Sequence, residues 1–498
     1  MRNGESATSV ISRHRQILYT FLTGLLMTLP LWSEKVYYRD DFFRIVNGQA
    51  NLWISNGRPL TWLINVALRF NTSVNDISPL PLLMGLAILA AASVIYAEKL
   101  ALPLRGYWQL LPAQFMILNP FLAQSLLYSY DSLTMMLSLA MAMMASLPLR
   151  FSRAIHILLT AGLMLLVLTT YQTGLNVYLG CCAIITFRLW VNREAIWPYI
   201  GEKMAAGLIA AVLYKVIIVA WLVTDPYSLA HSKMIPPGPA AFATLLQNVD
   251  SFTAMVLSAF PGYKVLLIAI PLLLAALGLL ILLVRTAREA GSARRKMFNG
   301  LAIVLLPFLA IAAIPGLSLL LSDPVISPRV LIAWSCFSLF CFCVNILAFP
   351  AIRRWVQALT LLPLLYCLVL MVSAFNTVAN DQRYTANLLQ RMKIDLSHIP
   401  PQDVKNIAFI GQPADSPDII ISLRNFPLIK AIRLPMLMES APWEYQVLAL
   451  RENIAQRITP TLPEMKTATP AYLSQDCVYK LFLYQQIAVF DFRAGPCR

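Results

Sequence analysis

Residues 16–44 read QILYTFLTGLLMTLPLWSEKVYYRDDFFR. The first half, Gln16 to Trp32, is an apolar run behind Arg13-His14-Arg15, and the second half places Asp40 and Asp41 between Arg39 and Arg44 just after it. The apolar run could be a secretory signal or a first membrane span. It lacks a small-residue cleavage pattern, and Tyr37 to Arg44 is too specialised to open a mature domain. It therefore reads as an uncleaved helix with a cytoplasmic N-terminus. The acidic pair then stands where the chain first leaves the bilayer.

The rest of the chain repeats this pattern. Of its 498 residues 58% are hydrophobic and 13% charged, against roughly 25% charged in soluble domains. Runs of about 20 apolar residues match a hydrocarbon core of about 30 Å. Eleven spans follow: 16–33, 79–97, 107–123, 132–149, 155–170, 174–187, 204–223, 265–284, 299–321, 330–349 and 356–375. The net charge of +15 would suggest a nucleic-acid partner in a soluble protein, but here it follows the excess of Lys and Arg in cytoplasmic loops. Alternating the spans puts Arg13, Arg15, Lys99, Arg105, Arg150, Arg153, Arg188, Arg193, Lys203, Arg285, Arg288, Arg353 and Arg354 inside. The short outer turns near 124–131, 171–173 and 322–329 hold only Arg329.

Three outer segments are long. The first, 34–78, carries the acidic pair and Trp53-Ile54-Ser55-Asn56-Gly57-Arg58-Pro59-Leu60. Leu60, Leu63, Ile64, Ala67 and Leu68 then mark one face of an amphipathic helix lying along the membrane surface. The second, 224–264, has a helical stretch from Pro239 to Phe260. The third is the more charged tail, 376–498, which reads as a small α/β domain. It has a helix over Asn380–Leu396, and the apolar runs 407–410, 419–423, 447–450 and 478–492 read partly as strands. Six of eight cysteines fall in spans and read as small buried hydrophobes. Cys477 and Cys497 in the tail are a candidate disulfide if that side is oxidising.

Several residues could carry chemistry. Asp40 and Asp41 are candidates for a general base, although an Asp here could also cap a short helix from Phe42 to Gly48. Asp41 is the better placed to cap, which leaves Asp40 freer. Arg39 and Arg44 read as salt-bridge partners of the pair. Asp131, at the outer start of the fourth span, is an N-cap or a second acid facing the same cavity. Tyr171 and Gln172 sit at an outer turn, where an interfacial Tyr often belongs to the aromatic belt. Lys215 lies inside the seventh span, so it needs a lipid phosphate or a snorkelling path to the surface. Arg329 stands at the outer mouth of the tenth span, where a guanidinium can grip a phosphate with two hydrogen bonds. The four histidines form no metal-ligand spacing, and no P-loop or GxGxxG signature is present. A nucleotide-activated donor is disfavoured, which favours a lipid-linked one.

Tyr37-Tyr38-Arg39-Asp40-Asp41-Phe42-Phe43-Arg44, Asn56-Gly57-Arg58-Pro59-Leu60, Tyr130-Asp131-Ser132, Tyr171-Gln172 and Pro328-Arg329-Val330 occur in this order on the outer side. Together they resemble the GtrII-type O-antigen glucosyltransferases, a serotype-converting group within the GT-C superfamily of polytopic glycosyltransferases. The resemblance covers residues 16 to about 375 and is strongest in the first outer loop. It implies a GT-C-like catalytic module, 1–375, in the bacterial inner membrane, with 376–498 as a periplasmic domain. It also implies undecaprenyl-phosphate glucose as donor, lipopolysaccharide O-antigen as acceptor, and functional links to a polyprenyl-phosphate glucose synthase and a flippase. The essential first-loop acid of the superfamily maps onto Asp40 or Asp41. The expected chemistry is an inverting displacement without cofactor or metal. One carboxylate takes the acceptor proton, Arg329 and Lys215 meet the lipid phosphate, and Arg44, Arg58, Asp131, Tyr171 and Gln172 position substrate. A lipid-linked sugar flippase would instead favour inverted repeats and several deep charges. A ligase or polymerase would favour a large outer loop between late spans.

Overall fold

The computed structural model describes residues 11–148, 151–288, 292–437, 451–454, 457–458, 472–475 and 477–494. The helices that frame the bundle are α1 (Arg13–Met27), α2 (Asp40–Asn47), α3 (Pro59–Arg69), α4 (Leu80–Lys99), α5 (Leu111–Ile117), α6 (Ser132–Ser146) and α7 (Arg153–Thr170). They continue with α8 (Gly174–Val191), α9 (Ile196–Leu213), α10 (Ala241–Ser258), α11 (Leu266–Arg288), α12 (Ala293–Ala312), α13 (Trp334–Ala348) and α14 (Arg353–Ser397).

All eleven apolar segments fall on helix, though not as uniform rods. Among the described residues six helices are long and apolar enough to cross a membrane, or seven if the bent pair Gly106–Ile117 and Pro120–Leu127 counts as one span. The first segment breaks at Thr28, because Pro30 begins a new short helix, Leu29–Ser33. The outer surface carries large apolar side chains in quantity: Leu208 is 66% exposed, Leu273 69% and Phe308 66%. Apolar exposure on that scale fits lipid rather than water.

Polar contacts sort the helix ends into two groups, which is what alternating spans require. At one end, Arg13 pairs with Glu98 at 2.7 Å, Arg353 donates to the Pro103 carbonyl, Arg188 to the Ala101 carbonyl and Arg193 to Thr286. At the other end lie α2, α3 and the turns at Tyr128–Asp131, Tyr171–Gln172 and Pro328–Val330. Four of the basic residues assigned to inner loops, Arg13, Arg188, Arg193 and Arg353, thus make their contacts away from the acidic pair.

The amphipathic helix α3 turns its polar stripe inward. Thr61, Asn65 and Arg69 are buried, and Thr61 Oγ1 donates to the Thr170 carbonyl at 2.9 Å. Leu63 is 53% exposed, as a helix with its apolar face toward lipid would be.

In the tail, α14 continues without a break across residue 375, where the last span was expected to end. Beyond it lies one five-stranded sheet, ordered β2 (Arg457–Ile458), β1 (Asn406–Ile410), β5 (Ile487–Asp491), β4 (Lys480–Tyr484), β3 (Tyr472–Gln475). The strand β1 runs parallel to β2 and β5, while β4 is antiparallel to both of its neighbours. The run 419–423, read as a candidate strand, is helical instead, within α15 (Pro417–Asn425). Pro417 sits in its first turn, where its missing N–H costs nothing, and only Ile419 of the three isoleucines is buried. The run 447–450 lies outside the described residues. Cys477 is disulfide-bonded, and Cys497, its expected partner, lies outside the described residues.

Candidate active site

The acidic pair opens α2 rather than preceding it. The helix begins at Asp40 and ends at Gly48, whose φ of 63° closes it in the left-handed conformation. Neither Asp40 nor Asp41 is the N-cap, a position held by Arg39. One turn of helix sends the two carboxylates in different directions. Asp41 is fully buried, accepting from the backbone N–H groups of Tyr38 (3.0 Å), Ser129 (2.8 Å) and Tyr130 (3.2 Å). Burial pushes its carboxyl up to about 8, against the opposing pull of Arg44 and of the Ser129 and Tyr38 N–H groups. It ties α2 to the turn before α6. Asp40 keeps 45% of its side chain exposed and lies 3.9 Å from Arg44.

Arg44 is the hub. Its guanidinium is 1% exposed, lies 2.9 Å from Asp131 and 4.0 Å from Asp41, and stacks 4.3 Å over the Trp53 ring. Asp131 stands at the N-cap position of α6 but makes no capping hydrogen bond. Its carboxylate instead accepts from Trp53 Nε1 at 2.7 Å and Arg58 Nη1 at 3.2 Å. The cap reading of Asp131 therefore fails, because two side-chain donors and the ion pair with Arg44 converge on its carboxylate from the first loop. Among the described residues no group of three His, Cys, Asp or Glu side chains is arranged to hold a metal ion. The acids around Arg44 are engaged by arginines and backbone N–H groups.

Arg329 enters from the far side of the sequence. Its Nη1 donates to Tyr128 Oη at 2.7 Å, and its backbone N–H donates to Gln124 Oε1 at 3.0 Å. Tyr171 Oη donates to the Arg329 carbonyl at 3.2 Å, so Tyr171 braces this turn. The charge of Asp40 acts on Arg329, Arg44 and Tyr128, so Asp40 lies within electrostatic reach of all three. Gln172 braces the other loop, donating to Tyr214 Oη at 2.8 Å, which in turn donates to the Gly57 carbonyl at 3.0 Å.

Gly57 has φ 74°, and a Cβ there would lie 2.5 Å from Tyr214 Oη. Gly57→Ala is expected to displace Arg58 from Asp131. The left-handed backbone alone would cost about 1–2 kcal/mol. Thermal melting in detergent, with the transfer rate, checks this.

Lys215 is not brought into the cluster. It is exposed on an irregular π-helical turn, Tyr214–Val219, beside Trp221, which is 80% exposed. Among the described residues Arg39 pairs with no carboxylate either, and its Nε donates to Tyr38 Oη. Tyr38, Trp53, Gln124 and Tyr128 escaped the sequence reading. Tyr38 and Trp53 lie inside quoted motifs but were given no role, Tyr128 stands two residues before one, and nothing near Gln124 in the sequence marks it.

The sequence profile described as Glucosyl transferase GtrII matches residues 8–340, which contain the whole cluster. This chain belongs to the GtrII family. A protein of Salmonella phage P22, described as an uncharacterised 55.3 kDa protein in the gtrB 5′ region, is 28% identical over 455 residues, covering 90% of this chain and 92% of its own length. No solved structure matches this GtrII chain. Family membership identifies a glycosyltransferase. Within it, the GtrII profile ends before α14 and the sheet.

Proposed function

We propose that this protein transfers glucose from undecaprenyl-phosphate glucose to a sugar of lipopolysaccharide O-antigen, on the periplasmic face of the bacterial inner membrane. The eleven-span GT-C-like arrangement, with a cytoplasmic N-terminus and 376–498 in the periplasm, belongs to this reading. The observation that carries it is the division within the acidic pair: Asp41 is buried and engaged, while Asp40 is 45% exposed beside Arg44.

Asp40 takes the proton of the acceptor hydroxyl as that oxygen attacks the anomeric carbon from the face opposite the phosphate. Inversion follows from this single displacement. Arg329 binds the departing lipid phosphate. Arg44 orients Asp40, and Asp131 with Trp53 fixes Arg44. Arg58 and Gln172 shape the sugar-facing loop. An apolar cleft lined by Phe115, Phe260, Leu267, Trp334, Phe337 and Phe342 offers a path for the prenyl chain. Trp334, one of its lining residues, follows Arg329 by five positions. Lys215, exposed beside Trp221, is assigned to the bilayer surface. The phage P22 relative, described by its position at gtrB, supports a role alongside other gtr products, among which a donor synthase and a flippase are proposed.

The test offers labelled glucose to purified enzyme and O-antigen lipopolysaccharide, either as the polyprenyl phosphate or as a nucleotide diphosphate sugar. Transfer only from the lipid supports the reading, and transfer only from the nucleotide sinks it. Arg329→Ala is expected to lower donor turnover about 10²–10³-fold while leaving acceptor KM nearly unchanged. Equal effects on both substrates would argue against phosphate binding.

A further inference from the structure

Two arginines at this site lack the partners that Arg44 and Arg58 have. Arg39 and Arg329 make no ion pair among the described residues, and each lies against one of two touching tyrosines. Arg39 sits 5.5 Å from the Tyr38 ring centroid and Arg329 5.3 Å from that of Tyr128. The two rings pack edge to face at 5.0 Å. Arg39 Nε donates to Tyr38 Oη at 3.3 Å, and that hydroxyl also receives Gln124 Nε2 at 3.1 Å and donates to the Ile432 carbonyl. Gln124 in turn accepts from the Arg329 backbone N–H and from Ser327. One hydrogen-bonded frame therefore ties the Arg39 side chain to the backbone of Arg329, whose guanidinium is held by Tyr128, the ring that packs on Tyr38.

The backbone at Arg39 is also unusual. It has φ 46° and ψ −111°, a conformation that a side chain with a Cβ rarely adopts. Such strain persists where the surroundings over-determine it, and it concentrates at binding sites. Glycine would occupy this position without strain, yet the chain carries an arginine there.

We infer that Arg39 and Arg329 form a two-arginine clamp for the donor phosphate, with Arg39 serving the charge that appears as the lipid leaves. This rests on the proposed lipid-phosphate donor. That donor is a phosphodiester with one negative charge. In the transfer, the acceptor oxygen bonds to the anomeric carbon and its proton passes to Asp40. The bond from that carbon to the phosphate oxygen breaks, and its electron pair stays on the phosphate. One negative charge thus leaves Asp40 and a second appears on the phosphate, now a monoester dianion. A single arginine suits the donor, and the second is matched only as the bond breaks. Contacts realised late in this way raise kcat more than they tighten the ground state.

The test compares Arg39→Gly and Arg39→Lys with wild type for kcat, donor KM, inhibition by polyprenyl phosphate and thermal melting. Arg39→Gly is expected to lower kcat about 10²–10³-fold, with donor KM changed less than threefold and polyprenyl phosphate inhibition weakened at least tenfold. It should melt at or above the wild-type temperature, because the strain is relieved. Arg39→Lys should recover part of kcat. A Gly variant with wild-type kcat and wild-type product inhibition overturns the clamp, as does equal weakening of donor and product. If wild type itself neither uses the lipid donor nor is inhibited by polyprenyl phosphate, the donor reading fails first and the clamp with it.

Discussion

Asp40→Asn is expected to lower glucose transfer about 10²–10⁴-fold, the range for loss of a general base, with melting temperature and donor binding near wild type. The reasoning is geometric. Asp40 lies at the start of α2 with 45% of its side chain exposed, and its only ion-pair neighbour among the described residues, Arg44, is 3.9 Å away. An amide of the same shape preserves this packing and loses the proton acceptor. Asp41→Asn should behave in the opposite way. Its carboxylate receives three backbone N–H groups from two chain segments, and an amide would point N–H against at least one of them. An unmade buried hydrogen bond costs about 1–3 kcal/mol, so Asp41→Asn is expected to melt lower. Single-turnover transfer and melting, measured on both variants, separate the roles. Full transfer by Asp40→Asn would remove the base assignment.

The sequence made some of this legible and hid the rest for identifiable reasons. Hydropathy marked the helical segments because each must cover about 30 Å of hydrocarbon with apolar side chains. The outer motifs were visible because Asp40, Asp41, Arg44, Arg58, Asp131 and Arg329 are polar residues at the ends of apolar runs. Which of them meet was not visible. Arg44 and Asp131 are far apart in sequence and share a 2.9 Å contact that only the packing of α2 against the start of α6 creates. Asp131 looked like a cap because Asp before a helix usually is one, and Trp53, Arg44 and Arg58 claim its oxygens instead. Lys215 looked functional from its depth, yet its helix has a face exposed to lipid. The run 419–423 looked like a candidate strand from its three isoleucines, but Pro417 starts a helix there and two of the isoleucines stay exposed.

The largest stability loss is expected from Asp131→Ala, and its interpretation depends on Arg44. Removing that carboxylate leaves the guanidinium of Arg44, 1% exposed, without its nearest counter-charge, and it also strips Trp53 Nε1 and Arg58 of their acceptor. Breaking one side of a buried pair costs about 3–5 kcal/mol, whereas replacing both sides by apolar groups is often close to neutral. The combined Arg44→Met, Asp131→Leu variant should therefore melt well above Asp131→Ala. Its transfer rate should nevertheless stay low, because Asp40 has lost the cation that orients it. Melting curves with initial rates on the three proteins check both halves. Recovery of melting and rate together would make the Arg44–Asp131 pair scaffolding alone, and recovery of neither would mean that Trp53 and Arg58, rather than Arg44, depend on Asp131.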